Sequence, residues 1–254
     1  MKILTYNVNG IRSALSKELT TWLAAEQPDI VGFQEVKANK EQVDMAEIEA
    51  LGYQHYWFSA EKKGYSGTAI LTKQTPDFVQ SGMGHPLFDS EGRVLRADFG
   101  DLTILCCYFP SGTSGDIRQT VKYEFLDAFL NFAEKLKAER PKLLIMGDYN
   151  IAHTASDIHD PKGNKDSSGF LPEERAWMDK FWGMGYTDSW RVMHPSEQKY
   201  SWWSFRSGAR GNNKGWRIDY IALSEALAPH IRSAEIHNEA VHSDHCPCSV
   251  ILDI

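Results

Sequence analysis

The sequence has little of what marks membrane, secreted or zinc-binding proteins. Its 254 residues contain no run near the ~18 consecutive apolar residues that a membrane-spanning helix needs. Residues 1–4 lead directly into polar residues, so we expect no cleavable signal peptide. The cysteines form two close pairs, Cys106-Cys107 and Cys246-x-Cys248, and neither has the Cys-x-x-Cys spacing of a zinc site. We therefore expect free thiols packed in strands and a protein of the reducing cytoplasm.

The motifs of two large enzyme classes are also absent. The sequence has no Gly-x-x-x-x-Gly-Lys-Ser/Thr loop, which makes nucleotide-driven phosphoryl transfer of that type an unlikely function. It has no Gly-x-Ser-x-Gly segment either, which removes the usual signature of an α/β-hydrolase. No stretch has the composition of an interdomain linker. The proportions of hydrophobic residues (42%) and charged residues (24%) are typical of a folded protein. We predict a single catalytic domain over residues 1–254.

Charge is distributed unevenly along the chain. The formal net charge is −7, from 27 basic and 34 acidic residues. Residues 199–217 nevertheless contain five basic residues and no acidic one, interleaved with aromatic residues that include Trp202 and Trp216. This mixture suits contacts with phosphates beside a surface for stacking or sugar packing. An acidic protein can therefore still present one basic face to a nucleic acid.

Short β-rich runs alternate with helical patterns throughout the chain. The pattern predicts strands at residues 2–8, 29–33, 67–72, 94–99, 102–109, 142–146, 216–223 and 249–252. It predicts helices at residues 12–26, 40–51, 116–140 and 172–183, and loops at residues 81–92, 110–116, 156–169 and 207–215. Segments 3–9 and 143–150 are alike, because each is an apolar strand that ends in polar residues. The fold class is therefore α/β, with a hint of two similar halves.

Polar residues stand at the ends or in the middle of these apolar strands. They are Asn7, Asn9, Glu35, Tyr108, Asp148, Asn150, Asp219, Asp244 and His245. A carboxylate in an apolar strand is costly to bury unless it is paired or holds a metal. One such residue alone would indicate a structural hydrogen bond, but the repetition of the feature over several strands indicates a shared site.

The types of these residues narrow the reaction. Oxygen ligands without a cysteine or histidine cluster favour a hard cation such as Mg²⁺. An adjacent Asp-His pair offers acid–base or phosphate-neutralising groups, while asparagine amides and a tyrosine hydroxyl can donate to phosphate oxygens. Metal-assisted attack of water on a phosphodiester is the reaction that remains.

Five motifs occur in the order found in one known family. They are Asn7-Val8-Asn9-Gly10-Ile11-Arg12, Gln34-Glu35-Val36-Lys37, Gly147-Asp148-Tyr149-Asn150, Gly215-Trp216-Arg217-Ile218-Asp219-Tyr220 and Ser243-Asp244-His245-Cys246-Pro247. With segments 160–165 and 200–203, they resemble the exonuclease III type of apurinic/apyrimidinic (AP) endonuclease, within the endonuclease/exonuclease/phosphatase superfamily. The resemblance extends from residue 7 to residue 247. It implies a four-layer αββα sandwich of two mixed β-sheets flanked by helices.

The resemblance also implies a metal centre. Glu35 would be the main Mg²⁺ ligand, and Asn7, Asn9 and Asp244 would lie near the metal directly or through water. Mn²⁺ would substitute for Mg²⁺, and the sequence leaves open whether one or two ions act.

The implied catalytic residues surround this centre. Asp148 would orient or deprotonate the attacking water, and Asn150 would help to hold the water and the phosphate. His245, paired with Asp219, would contact a phosphate oxygen, because an aspartate partner orients the imidazole and favours its charged form. Tyr108 would contact the phosphate or the leaving oxygen.

Substrate contacts are implied in the same way. Trp202, Trp216 and Ile218 match positions at which the family builds an apolar pocket for a flipped-out deoxyribose that lacks its base. The other implied DNA contacts are Lys162, Asn164, Lys165, Arg206 and Tyr65, with Lys63 as a further candidate. From the residues alone, the two tryptophans are equally compatible with core packing. A charge cluster such as Lys162, Asn164 and Lys165 is more often a solvated turn. Ser111 stands where many relatives have asparagine or glutamine, and its shorter side chain puts one contact with the phosphate or nucleophile in question.

These residues together predict a Mg²⁺-dependent DNA-repair phosphodiesterase. It would cut double-stranded DNA 5′ to AP sites, and its 3′–5′ exonuclease and 3′-phosphodiesterase activities would trim blocked 3′ ends in base excision repair. We expect a monomer with no membrane partner, in the cytoplasm of a bacterium or archaeon. Two alternatives stay open, a hydrolase of small phosphoesters such as lipid headgroups and a non-catalytic module that binds damaged DNA.

Overall fold

The apolar runs of the sequence form two β-sheets that face each other. The computed structural model describes all 254 residues. The strands are β1 (Lys2–Asn7), β2 (Ile30–Gln34), β3 (Gln54–Phe58), β4 (Thr68–Thr72), β5 (Phe78–Ser81), β6 (Val94–Phe99), β7 (Leu102–Tyr108), β8 (Lys142–Asp148), β9 (Tyr186–Asp188), β10 (Asp219–Ser224), β11 (Ile231–Ile236) and β12 (Cys248–Leu252). The α-helices are α1 (Ile11–Leu15), α2 (Leu19–Glu26), α3 (Ala46–Ala50), α4 (Pro86–Ser90), α5 (Asp116–Glu139), α6 (Pro172–Gly183) and α7 (Ser189–Met193). Short 3₁₀ turns occur at Lys40–Gln42, Ala155–Asp157, Arg206–Gly208 and Ala228–His230.

The two sheets have the same strand arrangement. One has the order β11-β12-β1-β2-β4-β3, and the other has the order β9-β10-β8-β7-β6-β5. In each sheet two central strands run parallel, β1 with β2 and β7 with β8. The remaining pairs are antiparallel, so both sheets are mixed, as predicted. Segments 3–9 and 143–150 are alike because β1 and β8 hold equivalent places in the two sheets.

Apolar side chains fill the space between four layers of secondary structure. Residues such as Ile3 and Ile104 pack between the sheets. The outer face of the first sheet packs against α1, α2 and α3, where Leu23 is fully buried. The outer face of the second sheet packs against α5 and α6 through residues such as Phe129 and Phe181. The predicted αββα sandwich is therefore confirmed.

Two predicted helices and one predicted strand differ from the structure, and the predicted loop at residues 81–92 contains the helix α4. The predicted helix 12–26 is two helices, α1 and α2, because Glu18 between them has a left-handed φ of 67°. The predicted helix 40–51 is a 3₁₀ turn followed by α3, because Val43 is extended. The predicted strand 216–223 begins only at Asp219, and Trp216 makes isolated bridges to Ile158 and Trp202 instead.

The cysteines and the helices agree with the expectations from composition. Cys106, Cys107, Cys246 and Cys248 are all buried free thiols. Three of them lie in β7 and β12, where they pack as small apolar side chains. The longest helix, α5, has 24 residues with charged side chains along its length, and no helix has the apolar length that spanning a bilayer would require.

Candidate active site

A cleft of about 780 Å³ opens where β7 and β8 end. The predicted site residues that line it are Glu35, Tyr108, Asp148, Asn150, Trp202, Trp216, Ile218, Asp244 and His245, and Ser111 lines it too. Three further predicted residues lie behind this lining and reach it through hydrogen bonds: Asn7, Asn9 and Asp219. Residues from distant parts of the chain thus share one cleft, carried on the ends of rigid strands.

The backbone leaves the sheets abruptly beside the cleft. Asn9, Glu35 and Asn150 each follow a strand closely, with φ values of 44°, 50° and 52°. A residue other than glycine adopts this left-handed conformation at a cost of about 1–3 kcal/mol. Local hydrogen bonds compensate, such as the bond from the Asn150 N–H to Asp148 Oδ1 at 2.8 Å. Three residues with left-handed backbone conformations therefore lie at or beside the cleft.

Asn7 holds two carboxylates of the cleft together. Its side-chain amide donates to Glu35 Oε1 and to Asp148 Oδ2, both at 2.8 Å. The potential ligand atoms of Glu35, Asp148 and His245 lie within 4.8 Å of one another. Carboxylate oxygens so arranged beside an open cleft are the ligands that a hard divalent cation prefers. The residues present therefore fit the metal that the sequence implies.

Lys37 is a neighbour of this cluster that the sequence analysis did not assign. Its ammonium lies 2.8 Å from Glu35 Oε2 and donates to Asn9 Oδ1. The ion pair between Lys37 and Glu35 is a charge-assisted hydrogen bond that fixes one oxygen of Glu35. A signal was available in the sequence, because Lys37 ends the motif that begins at Gln34.

Asp148, His245 and Asp219 form a buried row. His245 Nδ1 lies 2.9 Å from Asp219 Oδ2, and His245 Nε2 lies 3.8 Å from Asp148 Oδ2. Burial by itself would lower the pKa of His245, but the Asp219 carboxylate raises this pKa to about 10, so the imidazole is protonated at neutral pH. Burial and the charge of Asp219 raise the pKa of Asp148 to about 7. A carboxyl group with such a pKa can exchange a proton near neutral pH.

Ser201 fixes the aspartate of this row and was also missed. Its hydroxyl donates to Asp219 Oδ2 at 2.6 Å. The hydroxyl oxygen of Ser201 in turn accepts the backbone N–H groups of Ile218 and Asp219, both at 3.1 Å. Ser201 belongs to segment 200–203 of the family resemblance, but no role was assigned to it from the sequence, and the structure reveals its contact with Asp219.

Asp244 is a further carboxylate near His245. It accepts hydrogen bonds from Asn9 Nδ2 at 2.9 Å and from Trp202 Nε1 at 3.1 Å. Burial opposes its ionisation, but the charge of His245 and these donors outweigh burial and lower the pKa of Asp244. Asp244 therefore stays ionised and contributes a further carboxylate to the cleft.

Trp202, Trp216 and Ile218 form an apolar wall beside the carboxylates. The two indole rings meet edge to face, with centroids 5.9 Å apart, and the Trp202 ring lies 6.4 Å from that of His245. Ile218 is buried in a small cluster with Phe170, against which both tryptophans pack. Both indoles are only half-buried and line the cleft, so core packing accounts for only part of their surface.

The other predicted DNA contacts lie outside the cleft lining. They are Lys162, Asn164, Lys165, Arg206, Tyr65 and Lys63. The lysines and Arg206 are exposed, whereas Tyr65 is half-buried and its hydroxyl accepts hydrogen bonds from Arg93 and Arg118. The Asn164 amide donates to two carbonyl groups of its own turn, both at 3.0 Å. The hydroxyl of Ser111 lies 2.9 Å from that of Thr113.

Known proteins resemble this chain over its whole length. Residues 4–245 match the model of the Endonuclease/Exonuclease/phosphatase family. The chain is 39% identical to an exodeoxyribonuclease of Bacillus subtilis (strain 168), with 100% of both proteins covered. It is similar to the structure of a 3′ phosphatase from Neisseria bound to a product DNA hairpin, with a TM-score of 0.94, 28% identity and 100% of both chains covered. The structure of an AP endonuclease from Archaeoglobus fulgidus is similar as well, with a TM-score of 0.92, 28% identity and the same coverage.

The chain therefore belongs to the endonuclease/exonuclease/phosphatase family, whose members are metal-dependent. Within this family, it belongs to the exonuclease III type of AP endonuclease. It is a hydrolytic nuclease of DNA repair that acts on DNA. The prediction of a nuclease is confirmed, in preference to a small-phosphoester hydrolase or a non-catalytic module.

Proposed function

We propose that this nuclease cuts the DNA backbone 5′ to AP sites in a Mg²⁺-dependent reaction. We also propose that it trims 3′ ends through 3′–5′ exonuclease and 3′-phosphodiesterase activities in base excision repair. The observation that carries the proposal is the apolar wall of Trp202, Trp216 and Ile218 next to His245. A deoxyribose without a base fits such a wall, and an AP nucleotide loses less pairing and stacking when it leaves the duplex.

Glu35 would be the main residue that holds the metal ion, with Asp244 and Asn9 close to it. Asn7 keeps Glu35 in place through its 2.8 Å hydrogen bond, and Asn9 does the same for Asp244 at 2.9 Å. When bound there, Mg²⁺ would supply Lewis-acid stabilisation of negative charge on the phosphate and the leaving oxygen. We propose that Mn²⁺ can substitute for it. The proposal holds for one ion or for two.

Asp148 would orient the attacking water and accept its proton. Its pKa of about 7 suits a general base near neutral pH, because burial and the Asp219 charge disfavour a permanently ionised carboxylate. Asn150 lies beside it, with its amide 3.3 Å from Asp148 Oδ2, and would help to hold the water and the phosphate.

His245 and Tyr108 would donate hydrogen bonds to the phosphate. His245 keeps its proton because Asp219 stabilises the imidazolium, so it can neutralise charge that develops on a phosphate oxygen. Burial and the nearby charge of Glu35 raise the pKa of Tyr108 well above its ordinary value. The phenol therefore stays protonated and can donate to the phosphate or the leaving oxygen.

The exposed basic residues would contact the DNA backbone outside the cleft. For Lys162, Lys165 and Arg206, exposure leaves the charged groups free to reach phosphates. Asn164 and Tyr65 would contribute there as well. We further propose that residues 1–254 act as one catalytic domain, as a monomer, in the cytoplasm.

A duplex with one tetrahydrofuran AP analogue tests this function. The protein should nick the strand immediately 5′ to the analogue with Mg²⁺, and chelator should abolish the nick. A second duplex with a 3′-phosphoglycolate end measures end trimming, and an undamaged duplex measures background. Hydrolysis of a soluble phosphate monoester without any nick in the AP duplex would contradict the proposal.

A further inference from the structure

A buried ion pair lies behind the cleft, apart from the groups that face the phosphate. Lys122 of α5 and Glu174 of α6 are both fully buried, and Lys122 Nζ lies 2.5 Å from Glu174 Oε1. Removing two charges from water is costly, and an apolar pair of similar volume is often at least as stable. The ion pair by itself is therefore a weak source of fold stability.

Lys122 reaches the backbone of a catalytic residue. Its ammonium donates to the carbonyl of Asn150 at 2.8 Å. Asn150 has a left-handed φ of 52°, and its side-chain amide donates to the carbonyl of Phe109 at 2.9 Å. Its own N–H donates to Asp148 Oδ1 at 2.8 Å. The Lys122 contact thus helps to fix a strained peptide that in turn orients both Asn150 and Asp148.

Glu174 reaches the apolar wall of the cleft. Its Oε2 accepts the backbone N–H groups of Gly169 at 2.6 Å and Leu171 at 2.9 Å. Gly169 lies against the Trp216 indole, because a Cβ added to it would come within 2.9 Å of Trp216 Cζ3. The same Cβ would lie 3.0 Å from the carbonyl oxygen of Asn150. Glu174 therefore holds the segment that supports Trp216.

We propose that Lys122 and Glu174 are positioning residues for this nuclease. This buried pair holds Asn150 in position beside the reacting phosphate. It also holds Trp216 in position in the apolar wall. The inference rests on the proposed function, because it assigns Asn150 and Trp216 their roles there. A displacement of about 1 Å at a reacting group can lower turnover about 100-fold, while exposed basic residues keep the affinity for DNA.

The double variant Lys122→Met/Glu174→Gln tests the proposal. It conserves side-chain volume and leaves no unpaired charge, so it should fold and unfold cooperatively. The matched control is Lys137→Met/Glu134→Gln, which removes a pair 2.8 Å apart on the same helix, away from the cleft lining. We expect the kcat of the double variant on the AP duplex to fall about 100-fold with KM changed less than about threefold, and the control to match wild type.

Asn150→Ala separates positioning from a general loss of stability. If the pair acts through Asn150, this change lowers kcat far less in the double variant than in wild type. If Asn150→Ala lowers kcat by the same factor in the double variant as in wild type, the proposal is overturned. A double variant with wild-type kcat would overturn it as well.

The side-chain NH₂ signals of Asn150 in a ¹⁵N NMR spectrum give a readout that needs no activity. They should shift in the double variant and stay in place in the control, and unchanged signals in the double variant would overturn this inference. A wild-type protein that fails to nick the AP duplex would instead contradict the proposed function, so the two failures are distinguishable.

Discussion

At the scale of single residues, neutral donors fix the charged groups of the site. Asn7 holds Asp148, Ser201 holds Asp219, and Asn9 holds Asp244. The environments of the titratable groups then separate their protonation states, since the pKa of His245 is about 10 and that of Asp148 about 7. Such a separation provides one group that keeps its proton and another that can accept one at neutral pH.

Asp219→Asn should remove the charge that keeps His245 protonated. We expect kcat on the AP duplex to fall about 10²-fold or more, because a neutral imidazole no longer neutralises the phosphate. The pKa of His245, measured by NMR in the metal-free protein, should fall from about 10. Asp98→Asn is the control, because buried Asp98 pairs with Arg96 outside the cleft lining. Unchanged turnover in Asp219→Asn would refute the assigned role.

At the scale of secondary-structure elements, the central strands were predictable and the edge strands were not. Strands such as β2 and β4 are buried on both faces, so they appear in the sequence as continuous apolar runs. The strands that the sequence pattern missed are β3, β5, β9 and β11, which are the edges of the two sheets. All but β9 have exposed residues, and none shows a regular alternation of buried and exposed positions, so the period-2 signal of a strand is weak. The missed helices α4 and α7 have five residues each, too few for a helical period to show.

Asp157, in the 3₁₀ turn Ala155–Asp157, forms ion pairs with two arginines from other parts of the chain. These pairs make the free energy of unfolding depend on pH. The Asp157 carboxylate lies 2.7 Å from both Arg217, next to β10, and Arg191 of α7. Burial opposes its ionisation, but the Arg217 charge outweighs burial and lowers its pKa from 3.8 to about 2. Because the pKa of Asp157 is lower in the folded protein than in the unfolded chain, the ionised carboxylate stabilises the fold. This contribution is fully present above the pKa of the unfolded state and is lost as the pH falls towards the pKa of the folded state.

Urea unfolding of wild type and Asp157→Asn at two pH values tests this linkage. The stability difference between the two proteins should shrink by about 1 kcal/mol between about pH 5 and about pH 3. Asp127→Asn on α5 provides the control, because it makes the same substitution at an exposed residue. A constant difference for Asp157→Asn would contradict the assigned pKa.

Gly169→Ala should disturb the cleft from the loop before α6. Gly169 has a φ of +94°, and the new Cβ would press on Trp216 and on the Asn150 carbonyl. We expect kcat/KM on the AP duplex to fall about tenfold or more, as the pocket wall moves. Gly84→Ala is the matched control, because Gly84 has a similar φ of +83° with nothing within 4 Å of the new Cβ. Equal losses of activity in both variants would refute the steric argument.

At the scale of the whole molecule, the site is shared between two equivalent sheets. Asn7 and Asp148 end the equivalent strands β1 and β8, and Glu35 and Tyr108 stand at the ends of β2 and β7. Polar residues at strand ends could therefore be grouped from the sequence, because equivalent strand ends meet at one edge. The contact from Lys122 to the Asn150 carbonyl could not be predicted from the sequence, because it joins a helix to a strained turn and leaves no periodic signal.

The rate of AP-duplex incision as a function of Mg²⁺ concentration tests the central claim most directly. Wild type should show no incision without the metal and a saturable rise with it, because we propose Glu35 as the main ligand of the ion. Glu35→Gln should need far more Mg²⁺ or stay inactive. Glu49→Gln, which alters a carboxylate of α3 paired with His55 of β3, should behave as wild type. Incision that persists in chelator, or a Glu35→Gln curve that matches wild type, would contradict the account.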